Sequence, residues 1–226
     1  MNAGPVSIPE FVPVFPLPEV VLFPRQILPL HIFEPRYRAM VADALAGERL
    51  IAIALLKPDY EPLYFTPHAP IHRLVGVGRI VATERLDDGK YNILLRGQTR
   101  AKLLAELPGR PYRLARIETV ASHCDASPAV RERLRRKLWA AARRYPVSDL
   151  GWCEMHSAPC GLGLSLGELT DLITARLPIS GELRQSLLAE LDVCPRARKV
   201  LGHIQTLASV ARPAREAEHR SACNLN

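Results

Sequence analysis

The chain has 226 residues, 48% hydrophobic and 23% charged, and its 30 Lys and Arg against 23 Asp and Glu give a formal charge of +7. This composition excludes an intrinsically disordered chain, because there are enough apolar side chains to bury a core. No apolar run reaches the roughly 18 residues of a membrane span, and the N-terminus lacks the pattern of a signal peptide. Composition therefore predicts a soluble, cytoplasmic protein without a membrane partner. Its five cysteines show no paired spacing, which favours free thiols.

Proline dominates the N-terminal part of the chain, where 12 of the 20 prolines fall within residues 1–70. Each proline removes a backbone donor and disfavours helix at the preceding residue, so short strands and turns are expected there. One helix interrupts them. It begins at Pro35 and ends before Gly47, and its apolar residues recur at helical spacing: Tyr37, Met40, Val41, Ala44 and Leu45.

Further strands are predicted over 50–56, 74–86, 90–104 and 112–120. The second and third are joined by Asp87-Asp88-Gly89, and an Asp-Gly turn between β-branched runs is a strong hairpin signal. Gly76 and Gly97 lie inside these strands and indicate bulges or a close approach of another backbone segment. The sequence thus predicts an all-β unit that ends near residue 120.

Helical patterns replace strands after that point. They cover 128–145, 165–177, 180–191 and 192–210, and Ser165 with Glu168 forms a capping-box signature. Helices joined by short turns predict a small bundle. The expected organisation is an α+β chain with a β lobe over 1–122, a helical lobe over 123–212 and a frayed tail over 213–226.

Motifs for nucleotide binding and hydrolysis are missing from this sequence. It contains no P-loop, no dinucleotide-binding fingerprint, no nucleophile elbow and no zinc-protease helix. We expect no catalytic residue, no cofactor and no metal, and hence a protein that is not an enzyme. Two alternatives stay open. One is a zinc site, for which His123 and Cys124 together with Cys153, His156 and Cys160 offer ligands at irregular spacing. The other is nucleophilic catalysis by Cys153 or Cys160.

The densest positive charge lies on the helix over 128–145. Seven cations face a single acid there, and the nucleic-acid candidates are Arg131, Arg135, Arg136, Arg143 and Arg144. One interpretation is a helix that contacts phosphates. The other is the solvated face of an amphipathic helix whose stripe consists of Val130, Leu134, Leu138, Ala142 and Tyr145.

Aromatic residues are concentrated in the proline-rich loop over 57–72. Tyr60, Tyr64 and Phe65 stand among four prolines, in a segment that can be neither helix nor fully paired sheet. Rigid aromatics on such a loop can bind extended apolar peptide with little loss of conformational entropy. The alternative is that they only cover one end of the β unit.

Three long segments of this sequence resemble the LON domain, which is the N-terminal substrate-recognition domain of the ATP-dependent protease Lon. They also resemble bacterial proteins that consist of that domain alone. The first segment is 12–45, which includes the motif IFEPRYR at 32–38. The second is 76–103, which contains Gly97 and Arg100 of a G-x-x-R phrase. The third is 166–207, and together they cover most of residues 11–210.

The resemblance implies a PUA-like β-barrel with one inserted helix, followed by a C-terminal α-helical bundle. It also implies recognition of unfolded or extended polypeptide without the ATPase and protease modules. Our first hypothesis is therefore a non-catalytic peptide-recognition module that acts as an adaptor in protein quality control, with a protease or chaperone as partner. The alternative is an RNA-binding protein that uses the barrel and the basic helix.

Overall fold

The computed structural model describes residues 8–66, 68–144 and 163–223. Contacts divide the chain into two compact units. The first runs to Ala121 and also contains Pro178–Ala189, and the second consists of Ser122–Leu177 together with the chain from Glu190 onward. The strands thus group with one helical segment that lies far along the sequence. The boundaries of the β lobe and the helical lobe that composition predicts remain a prediction.

Six strands form one mixed sheet in the first unit: β1 (Phe11–Leu17), β2 (Ile27–Ile32), β3 (Leu50–Leu55), β4 (Leu74–Arg85), β5 (Tyr91–Leu107) and β6 (Arg113–Val120). Their order is β2-β5-β4-β3-β1-β6. Among these described strands, β1 and β3 are the only pair that runs in parallel. Strand β6 also pairs with β5, so the ladder from β5 through β4, β3, β1 and β6 returns to β5. Helices and an extensive sheet confirm the α+β class.

Helix α1 (Pro35–Ala46) forms as the sequence predicts, with proline in its first turn and Gly47 at its C-cap. Its apolar stripe lies in one of two core clusters of the first unit, beside Phe15 and Ile53. The second cluster contains Val14, Ala52 and other inward residues of the same strands. Successive residues of β1 and β3 thus enter different clusters, because side chains alternate along a strand.

Two strand glycines allow the segment after β1 to lie directly on the sheet. A Cβ at Gly76 would stand 1.9 Å from the carbonyl oxygen of Leu22, and one at Gly97 would stand 2.0 Å from that of Phe23. Any side chain at these positions would collide with backbone atoms. The predicted close approach is confirmed, and a register shift in β4 lies nearby, between Val77 and Gly78.

Four more helices are described: α2 (Pro128–Arg144), α3 (Leu166–Thr174), α4 (Gly181–Ala189) and α5 (Val193–Cys223). Within the second unit, α2, α3 and α5 contact one another in pairs. The Ser165–Glu168 capping box at the start of α3 is confirmed. Helix α4 instead contacts β3 and β4, and Gln185 donates to the Leu74 carbonyl oxygen at 2.8 Å.

Among the residues that the structure describes, no helix combines the length and the apolar character needed to cross a membrane.

Candidate functional site

The loop between β3 and β4 is closed at its base by backbone hydrogen bonds. Lys57 N–H donates to the Pro70 carbonyl oxygen at 2.9 Å, and His72 N–H donates to that of Leu55 at 2.9 Å. Inside the loop, a short 3-10 helix covers Glu61–Leu63. These bonds join the two ends of the loop where it leaves the sheet.

The three aromatic residues of this loop differ in exposure. Tyr60 and Tyr64 are half-buried and pack against a core cluster. Their ring centroids lie 5.8 Å apart, and Tyr64 contacts Phe65 edge-to-face at 5.0 Å. Phe65 is 81% exposed. The tyrosines thus cover the core and support a phenylalanine that faces solvent, and peptide binding by the loop stays a prediction.

Two arginines from outside the loop bind its backbone. Arg36 of α1 donates to the Tyr64 carbonyl oxygen at 3.4 Å, and Arg113 of β6 donates to that of Ala69 at 2.6 Å. Each is oriented by an acid, since Arg36 lies 2.9 Å from Glu34 and Arg113 forms two hydrogen bonds to Glu106. These contacts fix the position of Phe65 relative to α1 and β6.

A cleft of about 130 Å³ lies beside Phe65, and we call it the aromatic cleft. Phe65 and Thr66 form one side, and the remaining walls come from β1, α1, the β5–β6 connection and β6: Pro16, Arg36, Tyr37, Arg110, Pro111, Tyr112 and Arg113. This volume is close to the roughly 150 Å³ of an engineered apolar cavity that admits benzene. The aromatic cleft therefore has room for one aromatic or branched aliphatic side chain.

The two tyrosines of the aromatic cleft remain neutral over a wide pH range. Burial raises the pKa of Tyr37 to about 12. Burial and then the hydrogen bond to Asp43, 2.6 Å from the phenol oxygen, raise the pKa of Tyr112 to about 12. Arg110 also lies 3.0 Å from Asp43, so every arginine of the aromatic cleft faces a carboxylate. A neutral, apolar occupant suits these walls better than a free anion.

A second apolar surface, which we call the outer groove, lies on the solvent face of β2, β5 and β4. Leu94 is 39% exposed and stands between its register partners Pro29 and Ala82. The neighbouring row is polar. His31 Nδ1 lies 2.8 Å from Asn92 Oδ1, and Asn92 donates to Glu84 at 2.8 Å. The outer groove is thus a narrow apolar row beside a hydrogen-bonded polar row.

The outer groove was not predicted from the sequence, although the strands contain a signal for it. Ile80-Val81 and Leu94-Leu95 are adjacent apolar pairs. Because neighbouring side chains in a strand point to opposite faces, one member of each pair must face outward. Leu94 is the exposed member of its pair and lies in the outer groove, whereas Val81 is exposed at the register shift between Ile80 and Ala82.

The basic helix α2 has the expected amphipathic arrangement along most of its length. Leu134, Leu138 and Ala142 are buried, whereas Val130 is exposed and does not belong to the buried stripe. Tyr145 lies outside the described residues.

The cations of α2 differ in their surroundings. Arg131, Arg136 and Arg143 are exposed, while Arg135 is half-buried and forms two hydrogen bonds to Glu132. This pairing lowers the pKa of Glu132 and raises that of Arg135. Arg144 ends the helix, and its side chain is outside the described part. Arg136 Nε also lies 3.6 Å from Glu132, so two of the five nucleic-acid candidates are already paired with this acid.

The predicted cysteine cluster cannot be assembled from the described residues, because Cys153, His156 and Cys160 lie outside them. Cys124 is described, and its sulfur atom lies beside a different cysteine, Cys194. Burial, and then the hydrogen bond to Cys124, raise the pKa of the Cys194 thiol to about 11.

Comparison with known families identifies one match over most of the chain. A family model described as the substrate-binding domain of the ATP-dependent protease La (LON) matches residues 12–206. The Lon protease of Anaeromyxobacter dehalogenans is 30% identical over 199 residues, which are 86% of this chain and 23% of that protein. The Lon protease of Roseiflexus castenholzii is 29% identical over 225 residues, or 96% of this chain and 27% of that protein. The chain spans about a quarter of the length of these curated relatives.

Solved structures of the same fold include the N-terminal domain of the Mycobacterium avium complex Lon protease. It has a TM-score of 0.63 and 18% identity, with 86% of this chain and 98% of that chain covered. A Lon N-terminal domain protein from Xanthomonas campestris has a TM-score of 0.61 and 20% identity, with 85% and 97% covered. These two likenesses establish the fold.

Proposed function

Because the chain belongs to the family of LON substrate-binding domains, we propose that its first unit is a non-catalytic module that binds extended polypeptide segments. The observation that carries this proposal is Phe65, which is 81% exposed beside the aromatic cleft. The exposed ring and the cleft together form one apolar surface, and exposed apolar surfaces rimmed by polar residues often mark protein-binding sites.

The aromatic cleft is our proposed binding site, with Tyr60 and Tyr64 as its support and Phe65 as its contact residue. An apolar side chain of the bound segment would enter beside Phe65, between Tyr37 and Tyr112. Arg36 and Arg113 hold the backbone of the loop at Tyr64 and Ala69, which limits the conformational entropy that is lost on binding. The neutral tyrosines and paired arginines favour segments with exposed apolar side chains, as unfolded chains present.

The PUA-like barrel implied by the sequence agrees with the ladder that returns to β5. On this scaffold the protein would act as an adaptor that presents a bound segment to a protease or chaperone. Such a role requires binding and release of polypeptide, and no bond is made or broken by the module itself.

The test uses a reduced, carboxymethylated and therefore permanently unfolded protein as a fluorescent probe, with binding followed by anisotropy. Phe65→Ala should weaken binding about 10- to 30-fold, as expected for loss of an aromatic anchor. The melting temperature should stay unchanged, because the ring is exposed. Absence of binding by the unmutated chain would refute the proposed function.

Phe33→Ala is the matched control, since Phe33 is also an exposed phenylalanine, 58% exposed, and stacks on His31 at the edge of the outer groove. It should bind as tightly as the unmutated chain. If Phe33→Ala and Leu94→Ser weaken binding while Phe65→Ala does not, the polypeptide occupies the outer groove and the assignment to the aromatic cleft is wrong.

A second candidate function, nucleic-acid binding by α2, rests on the exposed guanidinium groups of Arg131, Arg136 and Arg143. Reversing these three charges should then abolish RNA binding, and the affinity of the unmutated chain should fall steeply with salt. Binding of polypeptide that survives RNase treatment and this triple substitution would favour the first function.

A further inference from the structure

A separate cluster in the second unit brings two sulfur atoms and a carboxylate together. Cys124 Sγ lies 3.0 Å from Cys194 Sγ. One oxygen of Asp192 is close enough that all three donor atoms lie within 4.8 Å of one another. Cys194 is buried and Cys124 is half-buried. We propose that Cys124, Asp192 and Cys194 bind one divalent cation of the zinc class.

The segments that carry the three ligands are fastened to each other. His123 N–H donates to the Leu191 carbonyl oxygen at 3.0 Å, and Val193 N–H donates to the His123 carbonyl oxygen at 2.9 Å. The proposed ligands are direct neighbours of these bonded residues in the chain. The donor atoms are therefore held together by the backbone before any ion binds, which lowers the cost of assembling the site.

A backbone hydrogen bond also orients the Asp192 carboxylate. One oxygen of Asp192 accepts the Cys194 backbone N–H at 2.9 Å. A carboxylate has lone pairs beyond the one that this hydrogen bond occupies, and these are available to the cation. Hydrogen bonds of this kind, which orient a ligand from outside the coordination sphere, are a general feature of metal sites in proteins.

The donor types select the ion. Thiolate sulfur favours zinc over magnesium or calcium, which prefer oxygen alone. Zinc–sulfur bonds of about 2.3 Å in a tetrahedral arrangement place two sulfurs about 3.7 Å apart, so the cysteines need to separate by about 0.7 Å. Three protein ligands leave the fourth tetrahedral position to water.

The alternative for Cys124 and Cys194 is a disulfide bond between them. It would require the sulfurs to approach to about 2.0 Å, a movement of similar size. The position of Asp192 beside the two sulfurs favours the metal site over the disulfide. A carboxylate oxygen can bind a cation, whereas it takes no part in a disulfide bond.

The experiment uses the full chain, reduced and stripped of metal, and titrated with Zn²⁺ against a chromogenic chelator. One ion should bind per chain. Cys124→Ser and Cys194→Ser should weaken binding about 100-fold. Asp192→Asn keeps an oxygen to accept the Cys194 N–H but removes the anionic donor, and should weaken binding about 10-fold.

Cys153→Ser and Cys160→Ser are matched controls that should bind as the unmutated chain does. Co²⁺ bound to the unmutated chain should show charge-transfer absorption from two thiolates, a result that does not depend on how the serine variants fold.

Three results would overturn the proposal. The first is absence of stoichiometric binding by the reduced chain. The second is loss of binding in Cys153→Ser or Cys160→Ser, which would place the ion at the other cysteines. The third is a Cys124–Cys194 disulfide, detected by mass spectrometry under non-reducing conditions, in a chain that takes up no metal after reduction.

Discussion

Arg196 and Asp171 form a buried ion pair between α5 and α3, with Arg196 Nε 3.2 Å from Asp171 Oδ1. The Arg196 side chain is 0% exposed, and it also donates to the Glu190 carbonyl oxygen and, at 3.3 Å, to Ser122. One guanidinium thus joins two helices and two connecting segments of the second unit.

Replacing Asp171 by leucine should destabilise the second unit strongly, because it leaves a buried cation without its counter-ion. The free energy of unfolding should fall by about 3–5 kcal/mol. Urea denaturation measures this loss, and the double variant Asp171→Leu with Arg196→Met should recover much of it. A single Asp171→Leu variant as stable as the unmutated chain would contradict the structural role assigned to the pair.

Gly76→Ala should destabilise the first unit, since its Cβ would lie 1.9 Å from a backbone oxygen that cannot move without distorting the sheet. We expect a loss of about 3 kcal/mol or more. Gly202→Ala is the matched substitution in open space, because nothing lies within 4 Å of its Cβ position in α5. It should stabilise that helix by about 0.5–1 kcal/mol. Thermal unfolding of the two variants should therefore shift in opposite directions.

Tyr112 should make the first unit sensitive to alkaline pH. Burial and the Asp43 hydrogen bond raise the pKa of Tyr112 from 10.0 to about 12, so the folded state prefers the neutral phenol. The contribution of the neutral Tyr112 phenol to the free energy of unfolding is fully present below pH 10.0, and it is lost as the pH rises towards about 12. The difference in free energy of unfolding between the unmutated chain and Tyr112→Phe should narrow over that interval. An extra tyrosinate absorbance in the unmutated chain, relative to Tyr112→Phe, with its midpoint near pH 10.0 would contradict this assignment.

Ser165→Ala should remove the cap of α3. The Ser165 hydroxyl accepts the Glu168 N–H at 3.2 Å, and Glu168 accepts the Ser165 N–H at 2.8 Å. Loss of such a cap costs about 1 kcal/mol. Ser186→Ala is the control, because the Ser186 hydroxyl donates only to a carbonyl oxygen of its own helix. Urea denaturation should separate the two variants, and equal stability would mean that the cap contributes little.

Local signals in the sequence predicted local structure well. The Ser165–Glu168 cap, the first-turn proline of α1 and the Asp-Gly hairpin all appear, with Gly89 at φ +77 in the turn. These features depend on residues within one turn of one another. Backbone geometry and nearby hydrogen bonds are therefore enough to determine them.

Features that depend on distant residues could not be predicted in the same way. Helix α4 has ordinary helical periodicity, and nothing within 180–191 reveals that it packs on β3 and β4. In the sequence, Arg196 and Asp171 cannot be distinguished from charged residues at the surface, because their burial depends on the tertiary structure. The aromatic loop was found through its composition, whereas the unequal exposure of its rings required the core beneath it.

Strand β2 pairs with β5 alone among the described strands, so its other side presents unpaired backbone groups. Gly97 N–H donates to Gln26, which places residues 28, 30 and 32 towards β5 and Pro29 towards the open side. Proline has no N–H to offer an incoming strand, and such residues protect edges from pairing with other chains. Pro29 thus protects this edge of the sheet from pairing with a strand of another chain.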